Sequence, residues 1–200
     1  MNKNTDVLEK LITASIRAYN RGLQYGDGGN VSARLPDEEL MYVTASGGSL
    51  ADVTVESFIV TDFDGNVVSG EGKPTREVIL HGYIYKNNPE VGSVVHTHSP
   101  YAITWASYKK ELPRMTLHSQ LKMNSDIPVF NVSSGVVPVS DMEQIGEVIK
   151  DNPKLAAFLL VDHGLVAMGS DPINAEHNAQ LIEETAKIAI LKLIAKKIEL

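Results

Sequence analysis

Val94-Val95-His96-Thr97-His98-Ser99 is the stretch around which this chain is organised. It reads as a short buried strand that ends in two histidines. Successive side chains of a strand point to opposite faces, so residues two apart share a face. His96 and His98 therefore project side by side, with Val95 and Thr97 turned the other way. Two imidazoles held this way can take two positions around one metal ion, at about 2.0–2.1 Å if it is zinc. The plainer alternative is a pair of satisfied structural histidines. A third ligand, a carboxylate and an anion site elsewhere in the chain would decide for the metal.

The bulk composition narrows the rest. Two hundred residues suit one domain spanning 1–200, long enough to bury a real core. Lys+Arg is 18 against 25 for Asp+Glu, a net charge of -7, which argues against a general nucleic-acid binder. A small anionic substrate needs only a few local donors and stays open. There is no cysteine, so any metal must use histidine and carboxylate ligands. Met1-Asn2-Lys3-Asn4-Thr5-Asp6 lacks the apolar core of a signal peptide. No apolar run approaches the roughly 20 residues of a membrane span. The expectation is a soluble cytoplasmic protein with no membrane partner.

Outward from the histidine stretch, the pattern alternates helices with short strands. Thr5 or Asp6 can cap a first helix, whose apolar face is Val7, Leu8, Leu11, Ile12, Ile16, Tyr19 and Leu23. Gly26-Asp27-Gly28-Gly29-Asn30 follows, a glycine-rich turn able to form an anion-binding nest or simply to turn. Strands are expected at 31–35, 40–44, 58–61 and 67–69, the last two joined by Asp64-Gly65-Asn66. Thr44-Ala45-Ser46-Gly47-Gly48-Ser49 is a second small, donor-rich loop. Pro74 is read as opening a helix with Thr75, Arg76 and Glu77 in its first turn, ended by Asn87-Asn88-Pro89. Ser99-Pro100 opens another helix, to about Tyr108. The stretch 111–140 reads as irregular, with a strand near 129–132. Ser140-Asp141-Met142-Glu143 has the form of a capping box, and Asp171-Pro172 opens a long last helix. The strand connections favour a three-layer α/β/α sandwich around a largely antiparallel sheet.

Four further histidines bear on the metal. His163 follows the apolar run Ala156 to Val161 and repeats the situation of His98, so it is the natural third ligand. His81 lies four residues after Glu77 on one helical face and is read as a supporting or packing group. His177 falls on a polar stretch of the last helix and is read as solvated, and His118 stays open between a structural and a functional role.

Taken together, five motifs resemble the class II aldolase/adducin family in order and rough spacing. They are Gly29-Asn30-Val31-Ser32, Thr44-Ala45-Ser46-Gly47, Lys73-Pro74-Thr75-Arg76-Glu77 with His81, His96-Thr97-His98-Ser99, and Asp162-His163-Gly164. The resemblance covers nearly the whole chain. It implies that His96, His98 and His163 bind a divalent metal, Zn2+ or else Mn2+ or Co2+. It implies Glu77 as the catalytic acid/base, and Gly29, Asn30, Ser46, Gly47, Thr75 and Arg76 around the phosphate of a sugar or sugar-acid substrate. It also implies a class II aldolase-like sandwich and a homotetramer with active sites at subunit interfaces.

The resemblance further implies a metal-dependent lyase cleaving a carbon–carbon bond through an enediolate, most simply a fuculose-phosphate-type aldolase. The alternatives are a 3-oxo-tetronate 4-phosphate decarboxylase, a sugar-phosphate 4-epimerase, and a non-catalytic adducin-like scaffold. A zinc hydrolase would suit the same donors. Thr75 and Arg76 stand where the aldolases carry two serines, which is closer to the decarboxylase subgroup. The aldolases' C-terminal tyrosine has no counterpart, so Tyr101 and Tyr108 are the candidates to protonate a leaving group.

Overall fold

A computed structural model describes residues 3–198; Met1 and Asn2, at the head of the stretch read for a leader, lie outside them, as do Glu199 and Leu200. Among the described residues, no helix is long and apolar enough to cross a membrane. The central sheet has nine strands among the described residues: β1 (Asn30–Arg34), β2 (Leu40–Thr44), β3 (Phe58–Asp62), β4 (Val67–Ser69), β5 (Ser93–Thr97), β6 (Glu111–Leu112), β7 (Ile127–Phe130), β8 (Ala157–Leu160) and β9 (Gly164–Gly169). Their spatial order is β4-β3-β2-β1-β5-β9-β8-β7-β6. Every pairing is antiparallel except β7 with β8. Those two strands are joined through a helix, as a parallel pair requires.

Helices cover both faces. On one side lie α1 (Lys3–Asn20), α3 (Pro100–Ala106) and α6 (Pro172–Lys197); on the other lie α2 (Val78–Asn87) and α5 (Val139–Asp151). A short α4 (Leu117–Lys122) sits between β6 and β7. Strand alternation divides the core in two. Val95, Leu159 and Ala167 face α1 and α6, whereas Val94, Phe158 and Val166 face α2 and α5. Burying one such large side chain contributes about 1.5–3 kcal/mol. The last helix lies on the sheet through Ala175, Ala179, Ile182, Ala186 and Ala189, a stripe of mostly small residues at helical spacing, all fully buried. Further along, Leu191, Leu193 and Ile194 are about half exposed.

Several helix starts differ from the sequence reading. Thr5 and Asp6 lie inside α1, where Asp6 pairs with Lys10 one turn on. The segment 74–77 precedes α2 instead of forming its first turn. Pro74 bridges Ala45 in extended form, and Glu77 is the residue at the helix start. A proline at a strand edge and one at a helix start look alike in sequence, since both positions leave the missing N–H unneeded. Ser99 stands at the start of α3, but its hydroxyl donates to the Leu23 carbonyl instead of capping. The Ser140 box does not form either. The helix α5 begins one residue earlier, and Asp141 accepts from the Ser133 backbone and hydroxyl. The supposedly irregular 111–140 stretch contains α4, capped by Thr116 and Ser119.

Candidate active site

The histidine strand β5 lies between β1 and β9, with His96 opposite Asn30 on one side and Val166 on the other. Its ring is wholly buried. The Nδ1–H of His96 donates to the Leu165 carbonyl at 3.0 Å, because a carbonyl can only accept. The Nε2 lone pair of this neutral ring is thereby left free. Burial, reinforced by His98 nearby, pushes the His96 pKa down to about 3, so the neutral form persists at ordinary pH.

His163 sits in the tight turn between β8 and β9. Asp162, at φ 53, takes the left-handed conformation this turn needs. Gly164 then passes close under the strand: a Cβ there would lie 2.5 Å from the Thr97 carbonyl oxygen. The result brings the three rings together, with centroids 5.1 Å apart for His96 and His98, 4.8 Å for His96 and His163, and 5.5 Å for His98 and His163. One ligand nitrogen from each lies within 4.8 Å of the others. Burial and the neighbouring His96 pull the His163 pKa down to about 4, against the opposing pull of Glu77.

Glu77 faces this cluster from the start of α2. Its Oε2 lies 3.1 Å from His96 Nε2, and its Oε1 lies 3.8 Å from His163 Nε2. His96 Nε2 and Glu77 Oε1 are buried with no hydrogen-bond partner among the described residues. His96 Nε2 and Glu77 Oε2 are acceptors aimed at one another, and with two further imidazoles beside them they suit a divalent cation. Neutral imidazoles and a carboxylate are donors that Zn2+, Mn2+ or Co2+ accepts.

Two loops are zipped together beside the cluster. Ser46 N–H donates to the Lys73 carbonyl at 2.8 Å, and Thr75 N–H to the Thr44 carbonyl at 2.9 Å. This pairing sets Ser46, Gly47, Thr75 and Arg76 on one wall of a cavity of about 570 Å³. Gly29, Asn30, Glu77, His98 and His163 line the same cavity. Arg76 is exposed and Thr75 buried. All six residues expected around a phosphate therefore surround one space, alongside the carboxylate.

Some lining residues carried no signal that the sequence reading used. Gln24 is almost fully buried, and its Oε1 accepts from the His98 N–H at 2.8 Å. The glycine turn presses on the same strand. A Cβ at Gly28 would lie 2.8 Å from His98 Nδ1, and one at Gly29 would lie 2.9 Å from the His96 carbonyl oxygen. Repeated glycines were the available clue to that close approach; the lone Gln24 offered none. Tyr25, 64% exposed, also reaches the cavity, whereas Tyr101 and Tyr108 do not line it. His81 is wholly buried beneath Asn30, while His177 is exposed and meets Arg17. His118 is exposed and faces Glu184 at 3.8 Å, outside this cavity.

An α/β/α sandwich with three histidines and a carboxylate at the mouth of a donor-lined cavity defines a class of metal-competent small-molecule sites. The pattern of the class II aldolase and adducin N-terminal domain matches residues 9–190. The chain belongs to that family. It is 34% identical to a 3-oxo-tetronate 4-phosphate decarboxylase of Haemophilus influenzae, over 92% of this chain and 88% of the relative. It is 33% identical to an L-fuculose phosphate aldolase of Methanococcus maripaludis, over 85% and 88%. A solved L-fuculose 1-phosphate aldolase superposes with a TM-score of 0.80 at 25% identity, over 98% of this chain and 97% of that one.

The site makes one direct prediction. Replacing His98 by alanine should leave a folded protein that has lost its divalent metal, measured by elemental analysis after dialysis. Stoichiometric metal in purified His98→Ala would exclude His98 as a ligand.

Proposed function

We propose that this chain is a metal-dependent lyase, one domain over 1–200, that breaks a carbon–carbon bond in a phosphorylated sugar or sugar acid. The observation that carries the reading is the Glu77 carboxylate, 3.1 Å from His96 Nε2 and open to the donor-lined cavity. A divalent ion held by His96, His98 and His163, zinc first among the candidates, would supply Lewis-acid stabilisation of negative charge on a substrate oxygen. The chain's own residues do the rest. Ser46, Gly47, Thr75, Gly29 and Asn30 offer hydroxyl, amide and backbone donors for a phosphate, and Arg76 offers a charged fork. Binding energy from that remote group positions the carbon that reacts. Glu77 takes the proton of the hydroxyl whose carbon leaves as an aldehyde. The electron pair of the broken bond spreads into the remaining fragment as an enediolate, and Glu77 returns the proton to its carbon.

Decarboxylation is the second reading, favoured by the exposed guanidinium of Arg76 at the cavity wall. A 3-oxo acid would lose its carboxylate as carbon dioxide, leaving the same kind of electron pair to be protonated. Arg76 would then grip the phosphate, since the carboxylate must depart. A charged sugar phosphate does not cross membranes unaided, which supports a cytoplasmic enzyme on either reading.

An assembly of four like chains, with sites where subunits meet, accompanies this proposal. Leu191, Leu193 and Ile194 on α6 and Leu117 and Leu121 on α4 leave apolar surface uncovered, and Lys192 donates to the Met115 carbonyl just before α4. Sedimentation equilibrium should give a tetramer at micromolar concentration; a stable monomer would contradict it.

The central test assays wild type, Glu77→Gln and Arg76→Ser on ketose 1-phosphates and phosphorylated 3-oxo acids, with detection of triose phosphate and carbon dioxide. Glu77→Gln should stay folded and metal-loaded while turnover falls by about 10²–10⁴. Arg76→Ser should raise KM for the preferred substrate. Near-normal turnover by Glu77→Gln would reject its proton-transfer role, and unchanged kinetics would return Arg76 to the solvated surface.

A further inference from the structure

Glu77 is the end of a chain of buried polar groups that runs through the layer between β1 and α2. Glu77, His81 and Tyr85 fall at four-residue spacing from the start of α2, so they form one stripe. Asn30 and Ser32 are two apart on β1, so they share the face turned toward that stripe. The two periods interlock. Asn30 Nδ2 lies 3.2 Å from Glu77 Oε2, and Asn30 Oδ1 lies 2.6 Å from His81 Nε2. Ser32 Oγ lies 2.6 Å from His81 Nδ1 and 2.7 Å from the Tyr85 hydroxyl.

The direction of every proton follows from the carboxylate. An ionised carboxylate only accepts, so the NH₂ end of Asn30 faces Glu77 and the carbonyl end faces His81. His81 Nε2 must then carry a proton. Burial pushes the His81 pKa down to about 3, so its ring is neutral and its Nδ1 can only accept. Ser32 therefore donates to Nδ1, and Tyr85 donates to Ser32. All protons point one way, from Tyr85 toward Glu77. Tyr85, Ser32 and His81 are at most 2% exposed. Burying so many polar groups between α2 and the sheet costs stability unless each is paired, and an apolar layer would pack there without that requirement.

We infer that Tyr85, Ser32 and His81 are positioning residues that lock the Asn30 carboxamide and, through it, aim the Glu77 carboxylate. One N–H of Asn30 holds Glu77 Oε2; the other remains for a ligand in the cavity that Asn30 lines. Glu77 Oε1 receives no hydrogen bond and stays available for proton transfer. The kinetic part of this inference rests on the lyase reading above.

Two measurements test it. Two-bond proton–nitrogen correlation spectra of protein labelled with ¹⁵N-histidine should show His81 as the neutral Nε2–H tautomer from pH 6 to 9, assigned by its loss in His81→Gln. The Nδ1–H tautomer or an imidazolium would overturn the chain, whatever the substrate. In metal-loaded protein, His81→Leu should lower kcat by about 10–100-fold, far more than it moves KM, with metal content unchanged. His81→Gln, whose amide nitrogen can stand in for Nε2, should recover most of that loss. Tyr85→Phe removes one hydroxyl and keeps the packing, so it serves if His81→Leu does not fold, and it should also lower kcat far more than it moves KM. Full kcat in these variants, or a loss that His81→Gln does not repair, would reduce the three residues to packing. If wild type turns over no sugar phosphate, the lyase reading falls, and the tautomer alone decides the chain.

Discussion

The Leu165 carbonyl holds the proton of His96 on Nδ1, and the arrangement of the site follows from that bond. With Nδ1 committed, the buried Nε2 presents a lone pair 3.1 Å from a carboxylate oxygen of Glu77. Neither atom has a proton to offer the other. Such a pair is unfavourable by itself and would be favourable around a cation, so the carbonyl of one strand readies the proposed ligand on the next. The same outer contact fixes the ring's orientation, which is how partners beyond the ligands tune a metal site.

The fold supplies that contact through register. His96 stands opposite Val166 on β9 and Asn30 on β1, the strands on either side of β5. A slip of one residue would turn His96 to the α1 and α6 side and replace it with Val95 or Thr97. Val94 packs toward α2 and α5 and Val95 toward α1 and α6, and this alternation secures the register because each strand residue is committed to one of two buried cores. Glu77 reaches the cluster from the other layer because α2 begins at this edge of the sheet, just after the zipped loops 44–48 and 73–77. Chemistry and scaffold are thus joined at one seam between the sheet and α2.

Much of this could be read in the chain beforehand, where a short period governs. The strand at 40–44 follows from alternation alone and the sandwich from strand connections, whereas β5 ends at Thr97, so His98, read as part of the strand, lies just past its end. The convergence of Ser46, Gly47, Thr75 and Arg76 was legible only through motif resemblance, because long-range backbone pairs such as Ser46 with Lys73 leave no periodic trace. The start of α2 was misplaced for the same reason: Pro74 answers to Ala45, 29 positions earlier in the chain, not to the helix after it. Gln24 was invisible, since its role is one hydrogen bond to the His98 backbone. The partnership of His81 with Asn30 and Ser32 was half visible, as the stripe on α2 shows in sequence and its match on β1 does not.

The central claim is that three imidazoles and a buried carboxylate are built around one cation. X-ray absorption at the zinc edge, on protein loaded with zinc and dialysed, tests it most directly. The account predicts one ion per chain, with a nearest shell containing three imidazole nitrogens at about 2.0–2.1 Å and oxygen completing it. An ion present well below one per chain, or a nearest shell without those three imidazoles, would contradict it.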